Sequence, residues 1–177
     1  MEESLVQIVR IPVSEWAAYR ELRLSALREE PAAFSSTFED SLARPESFWQ
    51  DRLTEAAAGH SCLLFARCQD RLVGMIGAIP DGSEPYTAVI ISVFVARDFR
   101  GRGIGTLLMD TILKELKVDG FRKAILSVNA GGISAVNLYL KSGFTITGQE
   151  TGQMGNGQIH TCYRMEKNLG DQVKRIS

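Results

Sequence analysis

A chain of 177 residues with 45% hydrophobic and 23% charged side chains is long enough to bury a core and too apolar for disorder. Its 20 basic and 21 acidic residues leave a formal charge of -1, which gives no overall pull toward nucleic acid. No apolar run reaches bilayer-spanning length, the start Met1-Glu2-Glu3 is unlike a secretion signal, and the three scattered cysteines lack metal spacing, so a reduced, cytoplasmic chain without a metal or membrane partner is expected.

Leu5 to Ile11 alternates as a first strand. Ser14 is placed to cap a helix carrying Trp16, Tyr19, Leu22, Ala26 and Leu27 on one face, with Pro31 marking its end. A second helix follows Pro45, with Phe48, Trp49 and Leu53 inward. Residues 61–67 and 72–79 read as paired strands joined around Gln69-Asp70, and 86–95 as a long central strand. The spacing predicts a helix over 104–117, with Ile104, Leu107, Leu108, Ile112 and Leu116 apolar and Gly120 as its stop. Residues 121–128 alternate like a buried strand, a short helix follows, and 144–150 with 158–165 form a hairpin across Asn156-Gly157. Without repeats or linkers, residues 1–177 are expected to form one domain.

The stretch from Val93 to Ile112 carries the most information. An apolar run ends at a basic, glycine-rich loop that opens directly into an amphipathic helix. Glycines let the backbone approach an anion, and the free amides and dipole of the helix start bind it. Arg97, Arg100 and Arg102 add positive charge. A dinucleotide loop read from Gly101 needs glycine or alanine where Thr106 stands, and a Walker A loop fails at the same residue. The spacing that fits is R-x-x-G-x-G, from Arg100 through Gly103 to Gly105.

In that context the loop resembles the coenzyme A pyrophosphate loop (motif A) of the GNAT superfamily of N-acetyltransferases. Downstream, Ser134 to Phe144 resembles motif B of the same family, A-x-x-L-Y-x-x-x-G-F, and the two flank the expected strand in the right order. The resemblance covers about 73–165 and, more loosely, the N-terminal helices. It implies an α/β fold with a mixed, strongly twisted sheet of about seven strands flanked by about four helices. It also implies substrate-side helices at about 14–57, a cofactor-binding core at about 86–144 and a C-terminal hairpin at about 144–166.

The resemblance further implies acetyl-CoA as acyl donor and a small-molecule or peptide amine as acceptor, joined by direct attack on the thioester. The pantetheine arm would pair with the main chain of Val93, Phe94 and Val95, and the pyrophosphate would sit on Arg100, Gly101, Arg102, Gly103, Ile104, Gly105 and Thr106. Tyr139 matches the family's general acid, and a phenol suits that task because it donates a proton without carrying charge. Gly132 stands where motif B has asparagine, so Asn129 or Asn137 is expected to replace that contact. Family members often dimerise, and no residue pattern here marks an interface.

The base is left open. The usual strand carboxylates are missing, and the position on 121–128 holds Ser127. Ser92 or Ser127 could orient a water chain, a loop carboxylate such as Glu84 could reach the site, and His160 reads rather as a surface residue, so no base is assigned. Seven carboxylates (Glu29, Glu30, Glu39, Asp40, Glu46, Asp51, Glu55) against Arg44 and Arg52 read either as an acidic lip for a cationic amine or as solvated helix faces. Residues 152–157 are expected to line the groove's other side. A non-catalytic coenzyme A-binding module, and an unrelated nucleotide-binding α/β domain that the failed loop spacings disfavour, stand as alternatives.

Overall fold

The computed structural model describes residues 5–170; Met1-Glu2-Glu3 lies outside them. Seven strands form one mixed sheet in the order β1-β2-β3-β4-β5-β7-β6. They are β1 (Val6–Val9), β2 (Cys62–Cys68), β3 (Arg71–Pro80), β4 (Thr87–Val95), β5 (Lys123–Asn129), β6 (Thr145–Gln153) and β7 (Ile159–Asn168). The helices are α1 (Trp16–Glu29), α2 (Phe38–Leu42), α3 (Glu46–Ala57), α4 (Ile104–Val118) and α5 (Ile133–Lys141). This is the mixed α/β architecture expected above, with the five-residue α2 as an addition whose periodicity is too short to show in sequence.

Two apolar layers cover the sheet. On one face Leu108, Met109, Ile112 and Leu116 of α4 pack with Ile76, Ile90, Leu126 and Met165. On the other, Tyr19 and Leu27 of α1 pack with Trp49 and Leu53 of α3 against Phe65, Met75 and Phe94. Burying several large side chains at roughly 1.5–3 kcal/mol each is what offsets the cost of ordering the chain.

Two local expectations are corrected. Ser14 does not cap α1: Val13–Glu15 form a 3-10 turn after Pro12, and Glu15 precedes the helix without a side-chain cap. Pro12 lacks an amide donor and starts the turn by itself. Leu107 does not join the apolar face of α4, being 43% exposed, because that stripe turns toward Leu108 and Met109.

The feature that builds the site is the divergence of β4 from β5. These strands are parallel and pair only through Thr87–Lys123, Ala88–Ala124 and Val89–Ile125. Beyond Val89 the two separate. On the other edge of β4 one extra residue interrupts the ladder with β3, between the pairs Gly77–Ile91 and Met75–Phe94. Ser92 sits in this bulge at φ 59°, a left-handed conformation costly for a side chain other than glycine.

Cys62 ties the sheet to α4. Its thiol donates to Glu115 Oε2 at 3.3 Å, while Arg10 pairs with the same carboxylate. Burial, assisted by Glu115, raises its pKa from 9.0 to about 11. The unfolded thiol ionises first as pH rises, so this contribution to stability is whole below pH 9 and lost toward pH 11. Urea midpoints should therefore fall between pH 8.5 and 10.5 more steeply for the natural chain than for Cys62→Ala. Parallel curves would remove Cys62 as a source of the loss.

Candidate active site

The loop between β4 and α4 is shaped for an anion. Gly101 (φ 74°) and Gly103 (φ 77°) adopt the left-handed conformation, and space around both is open. Gly103 is the N-cap of α4 and offers no side chain to it. A serine or aspartate there would occupy an amide; glycine leaves the first-turn donors for an external acceptor. Ile104 is buried while Thr106 is exposed, so the helix start is anchored by one and open at the other. Gly105 faces α5, and a Cβ on it would meet Leu138 Cδ2 at 3.3 Å.

Two arginines of the loop are held by the protein's own groups. Arg100 Nε donates to the Val95 carbonyl at 2.9 Å, and its terminal nitrogens reach Glu29 at 3.4 Å and Glu30 at 3.2 Å. Arg102 lies over the Phe99 ring at 5.1 Å and donates to the Asp98 carbonyl at 3.2 Å. Both side chains therefore also hold the loop in shape, and Arg100 joins it to the end of α1.

Two cavities meet where β4 and β5 part. The smaller, about 380 Å³, is lined by Val93, Val128, Asn129, Gly132, Ala135 and Tyr139, with Glu29 and Glu30 at its rim. The larger, about 490 Å³, is bordered by α1, α3, the β6–β7 turn and the sheet. Ala33, Phe34, Ile90, Ile91, Ser92 and Ser127 border both, so the bulge and Ser127 stand at the junction. Val93 presents its main chain along the separated edge, while its side chain and that of Val95 pack on the α4 layer. Phe94 is buried in the opposite layer.

Tyr139 is fixed by packing. Its ring meets Phe144 edge-on with centroids 6.1 Å apart, and the residue is buried. Burial first, and the charge of Glu30 second, push its phenol far above the ordinary tyrosine range. The group is therefore a neutral donor throughout the physiological range.

A carboxylate that local sequence reading missed lies on β6. Glu150 Oε1 accepts from Ser127 Oγ at 3.0 Å, and both residues line the larger cavity. Strand register explains the meeting: Asn129 opposes Cys162, which opposes Glu150, and residues opposed in a ladder share a face. Ser127, two residues from Asn129, lies on that face too. The pairing of β5 with β7, and of β7 with β6, was the only signal that could have brought Glu150 here.

Other candidates go elsewhere. Glu84 pairs with Lys123 near the first β4–β5 pair, away from the divergence. His160, at the start of β7, meets Asn156 Nδ2 of the preceding turn through Nε2 at 3.1 Å. Asn129 lines the smaller cavity, but its amide is engaged: Nδ2 donates to the Ala32 carbonyl and Oδ1 accepts from the Gly131 amide, both at 2.9 Å. Asn137 is exposed on α5 and lines neither cavity.

Of the two readings of the acidic run, the solvated one fits Glu39, Asp40, Glu46, Asp51 and Glu55, which are exposed and do not line the larger cavity, where Arg23 and Arg52 stand instead. A charge tally over two helices ignores which face each residue takes. The far wall includes Gly152, Gln153 and Met154, as expected. It is docked by the Gly155 amide, which bonds the Phe34 carbonyl at 2.6 Å. A Cβ on Gly155 would lie 2.3 Å from the Ser36 carbonyl oxygen, so only glycine permits this closeness. Among the described residues there is no group of three or more His, Cys, Asp or Glu that could hold a metal, and no helix long and apolar enough to cross a membrane.

A glycine-cradled helix start beside a split parallel strand pair defines an acyltransferase fold, and the comparisons agree. The acetyltransferase (GNAT) family model matches residues 18–144, and the chain belongs to that family. Human N-acetyltransferase 8 is 32% identical over 92 residues, which cover 50% of this chain and 40% of that protein. The chain thus spans about 40% of the length of the curated relatives it matches first. Among solved structures, a GNAT-family acetyltransferase from Streptococcus pneumoniae superposes with a TM-score of 0.81 at 20% identity, over 94% of this chain and 100% of that one. YncA of Salmonella typhimurium, solved with its cofactor acetyl-CoA, also scores 0.81 at 18% identity, over 98% and 99%. At these identities the two structures establish the fold.

Proposed function

We propose that this chain transfers an acetyl group from acetyl-CoA to a primary amine by direct attack on the thioester. The observation that carries this reading is the junction of the two cavities. One contains a buried neutral phenol, the other a carboxylate hydrogen-bonded to a serine, and both open onto the gap between β4 and β5.

In this reading the donor's pyrophosphate lies on the amides of Gly101 to Thr106, and its pantetheine arm runs along the free edge of β4 at Val93 to Val95. An unpaired strand edge is a template for such an arm. The fit rests on the open space at Gly101 and Gly103 and on the uncapped start of α4. The thioester supplies an activated acyl carbon. Glu150, directly or through a water held by Ser127, takes the proton from the incoming ammonium, which at a lysine-type pKa of about 10.4 is mostly charged at neutral pH. The amine nitrogen then forms the new N–C bond as the C–S bond breaks. Tyr139 gives its proton to the leaving sulfur, and the second amine proton passes to solvent. The alternative of a binding module without turnover rests on the missing strand carboxylate, a role Glu150 fills from β6.

The test is thiol release from acetyl-CoA across amino acids, polyamines, N-terminal peptides and aminoglycosides. Turnover with one class supports transfer. Coenzyme A binding with no turnover across the panel would favour the binding module. For the loop itself, Gly103→Glu should weaken coenzyme A binding in calorimetry by about 100-fold or more, since losing one charge-assisted contact of about 1.5–3 kcal/mol already costs about 10- to 150-fold. Affinity within twofold of the natural chain would exclude this loop as the phosphate site.

A further inference from the structure

The larger cavity has a cationic wall whose charges lack partners. Among the described residues three buried side-chain nitrogens have no acceptor: Arg23 Nη1, Trp49 Nε1 and Arg67 Nε. Arg67 has an ion pair with Glu15 through another nitrogen. The other two belong to residues that line the larger cavity. Native proteins seldom leave buried donors unpaired, and a bound ligand is one way to satisfy them.

Arg23 is held in place rather than dangling. Its guanidinium lies over the Phe34 ring at 4.6 Å. Burial is the largest influence on its charge, followed by Tyr19 and Arg52, and no carboxylate is among them. Arg52 lines the same cavity, donates Nε to Tyr19 Oη at 2.9 Å and lies over the Phe48 ring at 5.6 Å. No ion pair among the described residues includes either arginine. Two guanidinium groups without a counter-charge, beside a further unpaired N–H donor, call for an oxyanion, and paired arginines suit a carboxylate.

On the same cavity, Glu150 and Ser127 come from the sheet and offer the opposite sign. A ligand that satisfied both parts would carry an anion at one end and an amine at the other. Phe34, Phe48 and Trp49 add apolar surface to the same lining.

We propose that the acceptor is a free amino acid or close analogue, a primary amine bearing its own carboxylate and an apolar side chain, with the carboxylate on Arg23 and Arg52 and the amine toward Glu150. This rests on the acyl-transfer reading above and narrows its substrate. It replaces the cationic acceptor that an acidic lip would have selected.

Matched ligands test it on the natural protein. Phenylalanine, leucine and methionine are assayed for acetylation beside their carboxamides and the amines lacking the carboxylate. The acids should show kcat/KM about 30- to 100-fold higher, the size expected for losing one charge-assisted contact. Arg23→Gln, with Arg52→Gln as a second variant should the first fail to fold, should raise KM for the acids and bring acid and amide close to parity, while coenzyme A affinity stays unchanged. Amides or simple amines used as well as the acids would overturn the carboxylate site and leave acetyl transfer standing. Were no amine acetylated, the transfer reading would fall, and calorimetry with N-acetyl amino acids and their amides would still decide. Preferred binding of the acids sustains the anion site; equal binding, or none, overturns it.

Discussion

Tyr139→Phe should lower kcat by about 100-fold, the lower end of what a general acid contributes, while coenzyme A binds within twofold of its normal affinity. The phenyl ring keeps the edge-on packing against Phe144, so the fold loses one oxygen and little else. Packing alone would give a modest change in stability and none in turnover. The sign of the pKa shift adds a second readout. Because burial and Glu30 raise the phenol's pKa, its protonated form persists to higher pH than an ordinary tyrosine's. The profile of kcat should accordingly show no decline due to this group between pH 7 and about 10, where a free tyrosine is already half ionised. Unchanged turnover in Tyr139→Phe would withdraw the acid role.

Glu150→Gln should produce a loss of similar size, about 100-fold in kcat/KM at pH 7, with a different pH signature. Glutamine still offers an oxygen to Ser127 Oγ, so the 3.0 Å hydrogen bond can remain while the ability to take a proton is gone. Turnover in the variant then depends on the small fraction of acceptor that is already neutral. That fraction grows tenfold per pH unit below the amine's pKa and levels off above it, so the variant's deficit should shrink as pH rises toward the pKa of the acceptor's own amine. A deficit constant with pH would show that Glu150 positions Ser127 or the acceptor and does not act as base.

The contrast between these two residues marks how far sequence could be read. Tyr139 sits in a local pattern with Gly143-Phe144, and the loop proposed for the phosphate likewise lies within six consecutive residues, Gly101 to Thr106. Short-range spacing fixes both. Glu150 reaches Ser127 only because β7 lies between β5 and β6 and sets both registers, a relation 23 residues away that no local period encodes. Arg23 and Arg52 were hidden for a related reason. Each occupies a helix position whose facing depends on how α1 and α3 settle on the sheet, which a count of charges along 29–55 does not encode. The strand and helix sequence was legible nearly throughout, apart from α2 and the turn at Val13–Glu15, both too short for periodicity to register.

The extra residue at Ser92 reverses the parity of β4. Ahead of it the even-numbered Ala88 and Ile90 face the α4 layer; beyond it that layer receives Val93 and Val95, and Phe94 turns to the α1 layer. One strand thus furnishes both layers with large side chains, changing assignment at the point where the two cavities join. Had the strand run straight through Ser92 without the bulge, the two sets would have exchanged together, sending a phenylalanine that is 2% exposed toward α4 and two valines toward α1. Deleting one residue between Ile91 and Phe94 would instead restore plain alternation and leave both layers filled as they are, removing only the bulge beside the gap.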